Sequence, residues 1–313
     1  MNTDTSVKFE RPSLGRRIKK YFTSHTVFTH IVAAILLIWA LSLLFMIVWG
    51  LMVSVTEFRG ENGYANNKRS IFPKDFNFGN YIDAFRKVNA ELPNGKQIGY
   101  FGMMWNSIWY SVGSTFLGVA VNFLLAYAVA RFNHYKFTKA IYAFILLQMM
   151  MPLYGTGAAG YRIIEGLGLI DSPFFLLTKM TAGGMQFLIT HSYLVNMSKT
   201  YDEAARMDGA RAWDILVKIN LPMAMPIVVV YFIVGFIGNW NDYASAYMFF
   251  PSHETLAVGL KRVSDNITTA GAYVLDYPKL FAAVIITITP VIIIFSACQR
   301  QIIRLNMGGG IKG

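Results

Sequence analysis

The chain has 313 residues, of which 55% are hydrophobic, 15% aromatic and 14% charged, against roughly 25% charged in an ordinary soluble domain. A mean hydropathy of +0.42 points to a membrane protein and excludes disorder and collagen-like repeats, while the single cysteine, Cys298, excludes a disulfide scaffold or a Cys-based metal cluster. The net charge of +11 is better explained by orientation in a bilayer than by a nucleic-acid surface.

A hydrocarbon core about 30 Å thick needs about 20 apolar residues in helical conformation. Six runs are candidates: 27–53, 103–130, 137–154, 174–197, 223–249 and 280–298. Residues 1–26 form a basic segment with Lys8, Arg11, Arg16, Arg17, Lys19 and Lys20, suited to anionic lipid rather than nucleic acid. The first run is too long for a signal-peptide core and lacks a small-residue cleavage site, so it is expected to stay as a helix. Residues 54–102 are too polar to span. With FPKDFNFGNYIDAF at 72–85 and turn signals at Pro93, Asn94 and Gly95, they are expected to form a small folded cap.

Residues 103–298 are expected to form a five-helix core, and 299–313 a tail. Asn106, Ser107 and Asn122 make the second run amphipathic. The third ends in MMMP at 149–152, adaptable apolar surface for a partner chain, with a kink expected at Pro152. The fourth is interrupted by Lys179, Gln186 and His191. Lys179 could reach the headgroups; His191, without a companion ligand, reads as a packed or hydrogen-bonded histidine, and no metal site is expected. With the N-terminus inside, the inside segments carry 16 Lys and Arg and the outside ones 11, of which 7 lie in the long stretch 55–101 where the charge rule is weak. Both termini are therefore expected in the cytoplasm.

The inside loop 198–222 carries four basic and four acidic residues. Thr200 followed by Glu203 reads as a capping box opening a helix, with Ala204, Met207 and Ala210 on one face and Asp202, Arg206 and Asp208 off it. Gly209 can end the turn because glycine tolerates positive φ. A second short helix is expected from about Ala212 to Asn220, stopped by Pro222, which also opens the fifth run.

Glu203, Ala204, Ala205, Gly209, Ile219, Leu221 and Pro222 match, with both gaps, the EAA loop of ABC importer permeases. WNDY at 240–243, FPKDFNFGNY in the first outside loop and the tail QRQIIRLNMGGGIKG also resemble the carbohydrate permeases of the maltose-transporter group. The resemblance implies an all-α integral membrane fold, a type I importer bundle of six transmembrane helices with a cytoplasmic EAA coupling helix, in the bacterial cell membrane. It implies a second permease as partner, a pair of cytoplasmic ATP-binding subunits, and an extracytoplasmic solute-binding protein delivering a sugar or oligosaccharide.

No G-x-x-x-x-G-K-[ST] occurs in the chain, so the chain itself is read as no enzyme and ATP and Mg belong to the partner ATPase. The implied coupling residues are Glu203, Ala204, Ala205, Asp208, Gly209, Leu221 and Pro222; Lys312 and Gly313 are the implied ATPase contacts of the tail. Candidates for the substrate path are Gln186, Asn239, Asn241 and Asp242, since amides, carboxylates and the nearby Trp240 and Tyr243 suit carbohydrate. A secondary transporter driven by an ion gradient, or an importer of a non-sugar solute, is the competing reading. An intramembrane enzyme would require convergent catalytic groups that the isolated polar residues here do not supply.

Overall fold

The computed structural model describes residues 24–57, 76–93, 95–151, 156–181, 183–269 and 277–308. The basic segment before Ser24, Pro152, and Lys312 and Gly313 of the tail lie outside these residues. The first run forms helix α1, Ser24–Ser54, about 46 Å long at 1.5 Å per residue. Its apolar side chains from Val27 to Trp49 are exposed almost throughout. Its C-terminal end is held: Trp49 packs edge-on to Phe281 with centroids 5.4 Å apart, and Asn80, buried, donates to the carbonyls of Ser54 and Thr56 at 3.0 and 2.9 Å. The Ser54 carbonyl is among the groups that a helix end leaves without an internal partner.

Asn80 belongs to α2, Gly79–Lys87, which is followed by a short antiparallel hairpin of β1, Ala90–Glu91, and β2, Gln97–Ile98. The hairpin turns at Gly95, with φ of +76° and its N–H on the Leu92 carbonyl. Pro93 and Gly95, two of the turn residues expected from sequence, thus sit at a real turn, while Asn94 lies outside the described residues, and the hairpin is the one sheet among the described residues.

The centre of the molecule is α3, Tyr100–Arg131, which packs against two later helices, α6 (Gly184–Asn196) and α9 (Leu221–Trp240). Small and hydroxylated residues let these helices approach closely. Ser107, Ser111, Ser114 and Thr115 are buried on α3, and a Cβ at Gly235 would sit 3.0 Å from the Thr115 methyl. The last helix, α12, Tyr277–Gly308, runs through Pro290. Proline cannot donate to the carbonyl four residues back, that of Ile286; the Tyr100 hydroxyl donates to it instead at 3.2 Å.

Among the described residues four helices are long and apolar enough to cross a bilayer: Val27–Ser54, Tyr100–Arg131, Ala212–Trp240 and Tyr277–Ala297. The third expected run holds a shorter helix and the fourth is divided. The third holds α4, Lys136–Met150, followed by α5, Thr156–Gly166, and at 15 residues α4 is about 22 Å long. The fourth opens as a 3-10 helix, Pro173–Lys179, and continues only after Gly183 and Gly184, both at positive φ, as the 13-residue α6. A left-handed backbone is compatible with glycine and not with a continuing helix.

The fifth run ends at Trp240 rather than Phe249, because Asp242 caps a new helix, α10, Tyr243–Phe249, by accepting from the Ser245 N–H at 3.0 Å. An unexpected helix, α11, Leu256–Thr269, follows, with Leu256, Val263 and half-buried Leu260 packed into the cluster around Met103 and Trp240.

Candidate functional site

The loop between α6 and α9 folds as two elements at one end of the bundle. The first is α7, Thr200–Met207. Its end is a Schellman arrangement: Gly209 N–H meets the Arg206 carbonyl at 3.0 Å and Ala210 N–H the Ala205 carbonyl at 2.9 Å. Gly209 has φ of +83°, the conformation that the arrangement requires at this position. Its beginning differs from expectation. Thr200 is inside the helix and no capping box forms; the first turn closes from Glu203 N–H to the Lys199 carbonyl at 3.0 Å. Ser198 supplies a hydroxyl to the Thr200 N–H at 3.3 Å, and the Glu203 carboxylate is left outward.

The second element, α8, Ala212–Ile215, does not stop at Pro222. It passes through a π turn, Leu216–Asn220, directly into α9. The wider turn displaces the bonding register just ahead of Pro222, whose ring would clash with the carbonyl four residues back in a regular helix. Pro222 therefore continues the helix instead of breaking it.

Asp202, expected to lie off the apolar face, is 7% exposed and holds the loop to the bundle. Its Oδ2 stands 3.1 Å from Arg131 Nε, with the arginine side chain only 4% exposed, and its Oδ1 accepts from Asn220 Nδ2 at 2.9 Å. Arg131 Nη2 donates in turn to Asn220 Oδ1 at 2.8 Å. The last turn of α3, the first turn of α7 and the π turn thus meet in one closed polar ring. Sequence reasoning missed Arg131 and Asp202. The available signal was an acid directly before Glu203 together with an arginine closing a long apolar run, two charges whose pairing no local spacing reveals.

Of the implied coupling residues, Glu203, Ala204, Asp208, Gly209 and Pro222 are exposed, Ala205 and Leu221 are half-buried, and Leu221 packs into the core cluster around Phe187. Met207 is 89% exposed, so α7 presents an apolar knob beside the Glu203 and Asp208 carboxylates.

Three of the polar residues considered for a substrate path, Asp242, Asn239 and Asn241, have side chains bonded within the chain. Asp242 Oδ2 takes Lys179 Nζ at 3.2 Å and the Tyr110 hydroxyl at 3.0 Å. Lys179, whose ammonium also lies over the Tyr110 and Phe175 rings at 5.7 and 5.8 Å, is drawn inward by this carboxylate rather than toward headgroups. Asn239 joins α9 to α3 by donating to Thr115 Oγ1 at 3.0 Å, and Asn241 donates to its own helix at the Ile237 carbonyl at 2.8 Å. Gln186 sits half-buried on α6. His191 is a packed residue, with ring centroids 4.9 Å from Tyr142 and 5.9 Å from Phe187.

At the same end of the bundle as Asp242, the segment between α10 and α11 is fixed by two acids. Asp171 accepts from the Ser252 N–H at 3.0 Å and lies 3.2 Å from His253 Nδ1. Burial works to raise its pKa, but the bonds from Ser252 and His253 outweigh this and hold it below the usual carboxylate range. Glu254, 2% exposed, is pushed up by burial, partly offset by its pairing with Arg262. Among the described residues no three His, Cys, Asp or Glu come together as a metal site.

Comparison with known proteins bears on this arrangement. Residues 97–305 match the model of the binding-protein-dependent transport system inner membrane component, a stretch that includes the ring and both loop elements. The chain is 27% identical over 286 residues to the diacetylchitobiose uptake system permease protein of Streptomyces coelicolor, covering 88% of this chain and 86% of that one. It is likewise 27% identical over 245 residues to the arabinooligosaccharides transport system permease protein of Bacillus subtilis, covering 78% and 82%. Its fold matches a chain of the crystal structure of a bacterial ABC transporter involved in the import of the acidic polysaccharide alginate, with a TM-score of 0.70 and 23% identity over 90% of this chain and 98% of that one. The chain belongs to the family of inner membrane components of binding-protein-dependent transport systems.

Proposed function

We propose that this chain is one of two permeases in an ATP-driven importer of a sugar or oligosaccharide, with α7 as the coupling helix seated in a cytoplasmic ATPase. The observation that carries the reading is the anchoring of α7. The helix is tied to α3 and α9 through buried Asp202 while Glu203, Met207 and Asp208 remain on its outer surface. A short helix held in this way transmits a rigid-body displacement, which a flexible loop would absorb. In this reading the chain crosses the membrane six times, with α4 and α6 inside the two shorter crossings, both termini are cytoplasmic, and ATP and Mg reside on the partner. The exposed Met149, Met150 and Met151 face the second permease. The relatives' handling of diacetylchitobiose and arabinooligosaccharides supports a sugar as cargo.

The test is purification of the native complex in mild detergent, with mass spectrometry of every chain held. A Walker-type ATPase and a second permease are expected, and the copurified binding protein supplies a protein whose ligand can be titrated. Reproducible recovery of this chain alone in a transport-active preparation would refute the proposal in favour of a self-sufficient transporter.

A further inference from the structure

We propose that the Arg131, Asp202 and Asn220 ring is a force-transmitting lock, with Asp202 as the positioning residue that makes the coupling helix move as one body with α3 and α9. This rests on the reading of α7 as the element driven by an ATPase. Three features of the ring support it.

The first is closure. Arg131 Nε stands 3.1 Å from Asp202 Oδ2 in an ion pair, Arg131 Nη2 donates to Asn220 Oδ1 at 2.8 Å, and Asn220 Nδ2 donates to Asp202 Oδ1 at 2.9 Å. No one of the three can shift without breaking a bond to each of the others. Asn220 Nδ2 also reaches the Ile215 carbonyl at 3.3 Å and Arg131 Nη1 the Met197 carbonyl at 3.5 Å, so the ring grips the backbone at the end of α6 and at the end of α8.

The second is burial. Arg131 and Asp202 side chains are 4% and 10% exposed, where a charge pair is screened little by salt and where separating the partners leaves an uncompensated charge. A push on α7 therefore meets a steep barrier to sliding and passes into the two helices instead. The third is placement. Arg131 is in the last turn of α3, where its cation also suits the negative end of the helix. Asn220 stands at the head of α9, and α3 and α9 pack against each other along their lengths. The lock thus joins the driven helix to the central helix pair at the pair's own end.

The experiment uses the complete importer with its copurified ATPase, in detergent, with spin labels at Met207→Cys on α7 and Val234→Cys on α9 in a Cys298→Ser background. Electron–electron distances are read without nucleotide and after trapping with ATP, Mg and vanadate. With the native ring the label separation is expected to be single-valued and the same in both states. Asp202→Asn is expected to match it at rest and to shift and broaden only in the trapped state, and Arg131→Asp with Asp202→Arg is expected to restore the single distance.

An unshifted distance for Asp202→Asn in the trapped state would overturn the proposal. Broadening already present at rest would also overturn it, since that describes a loop that has merely lost its fold. Should Asp202→Asn fail to assemble, Asn220→Ser, which keeps the ion pair and breaks the ring, is read by the same two criteria. A native complex that carries no ATPase, or does not trap vanadate, refutes the importer reading itself and is seen before any variant is compared.

Discussion

Gly209 offers a clean separation of backbone geometry from space. Its φ is +83°, and a Cβ built there would find no other atom within 4 Å. The cost of Gly209→Ala is therefore conformational alone, about 1–2 kcal/mol for an L-residue held in the left-handed region. That tilts the local equilibrium between the closed and frayed end of α7 by about 5- to 30-fold. Asparagine visits the left-handed region more readily than alanine, so Gly209→Asn is expected to cost less although its side chain is larger.

The assay is amide hydrogen exchange across 206–210, where the Gly209 and Ala210 N–H groups are bonded to the Arg206 and Ala205 carbonyls and report local opening directly. Protection should fall in the order Gly, Asn, Ala. If alanine protects as well as glycine, or if asparagine is the worse of the two, the left-handed turn is not what holds the end of the helix.

Two further outcomes follow from the opposite end of the bundle. Lys179→Met and Asp242→Asn should be non-additive by about 1 kcal/mol in a double-mutant cycle of denaturation in mixed micelles. The pair is 3.2 Å apart but a quarter exposed on each side, which discounts the coupling expected of residues in contact; additive effects would remove the ion pair from the account. Asp171 has a folded pKa below its unfolded one, so its contribution is present above the ordinary carboxylate pKa and lost as pH falls through and below it. Asp171→Asn should flatten the acid limb of stability against pH, measured by thermal unfolding from pH 6 downward to about pH 3, and an unchanged limb would refute the assignment.

Hydropathy alone located α1, because nothing interrupts its apolar run, and the glycine and proline spacing of the EAA loop located α7 because those residues encode backbone geometry. The divided runs were harder to read. The glycines at 183 and 184 were visible, but their spacing alone does not tell that both adopt positive φ. The same holds for the fifth run: Asp242 read as a polar residue within a span becomes a cap once its partners Ser245, Tyr110 and Lys179 converge. Helix α11 carried a helical period at Leu256, Leu260 and Val263, yet it falls between runs selected for length, and that criterion passes over short amphipathic pieces. Arg131 and Asp202 were visible as residues and invisible as a pair, since long-range pairing is a property of the packed helices.

The π turn at Leu216–Asn220 sets the angular phase between α7 and α9. Each residue of a regular helix advances the chain by about 100° and 1.5 Å, so inserting one residue just ahead of this turn would swing everything before it about a quarter of a revolution around the α9 axis. Asp202 would then point away from Arg131 with every side chain of the ring still present. The stretch between Gly209 and the Leu221-Pro222 pair is thus expected to tolerate exchange of its exposed residues and to refuse an inserted one.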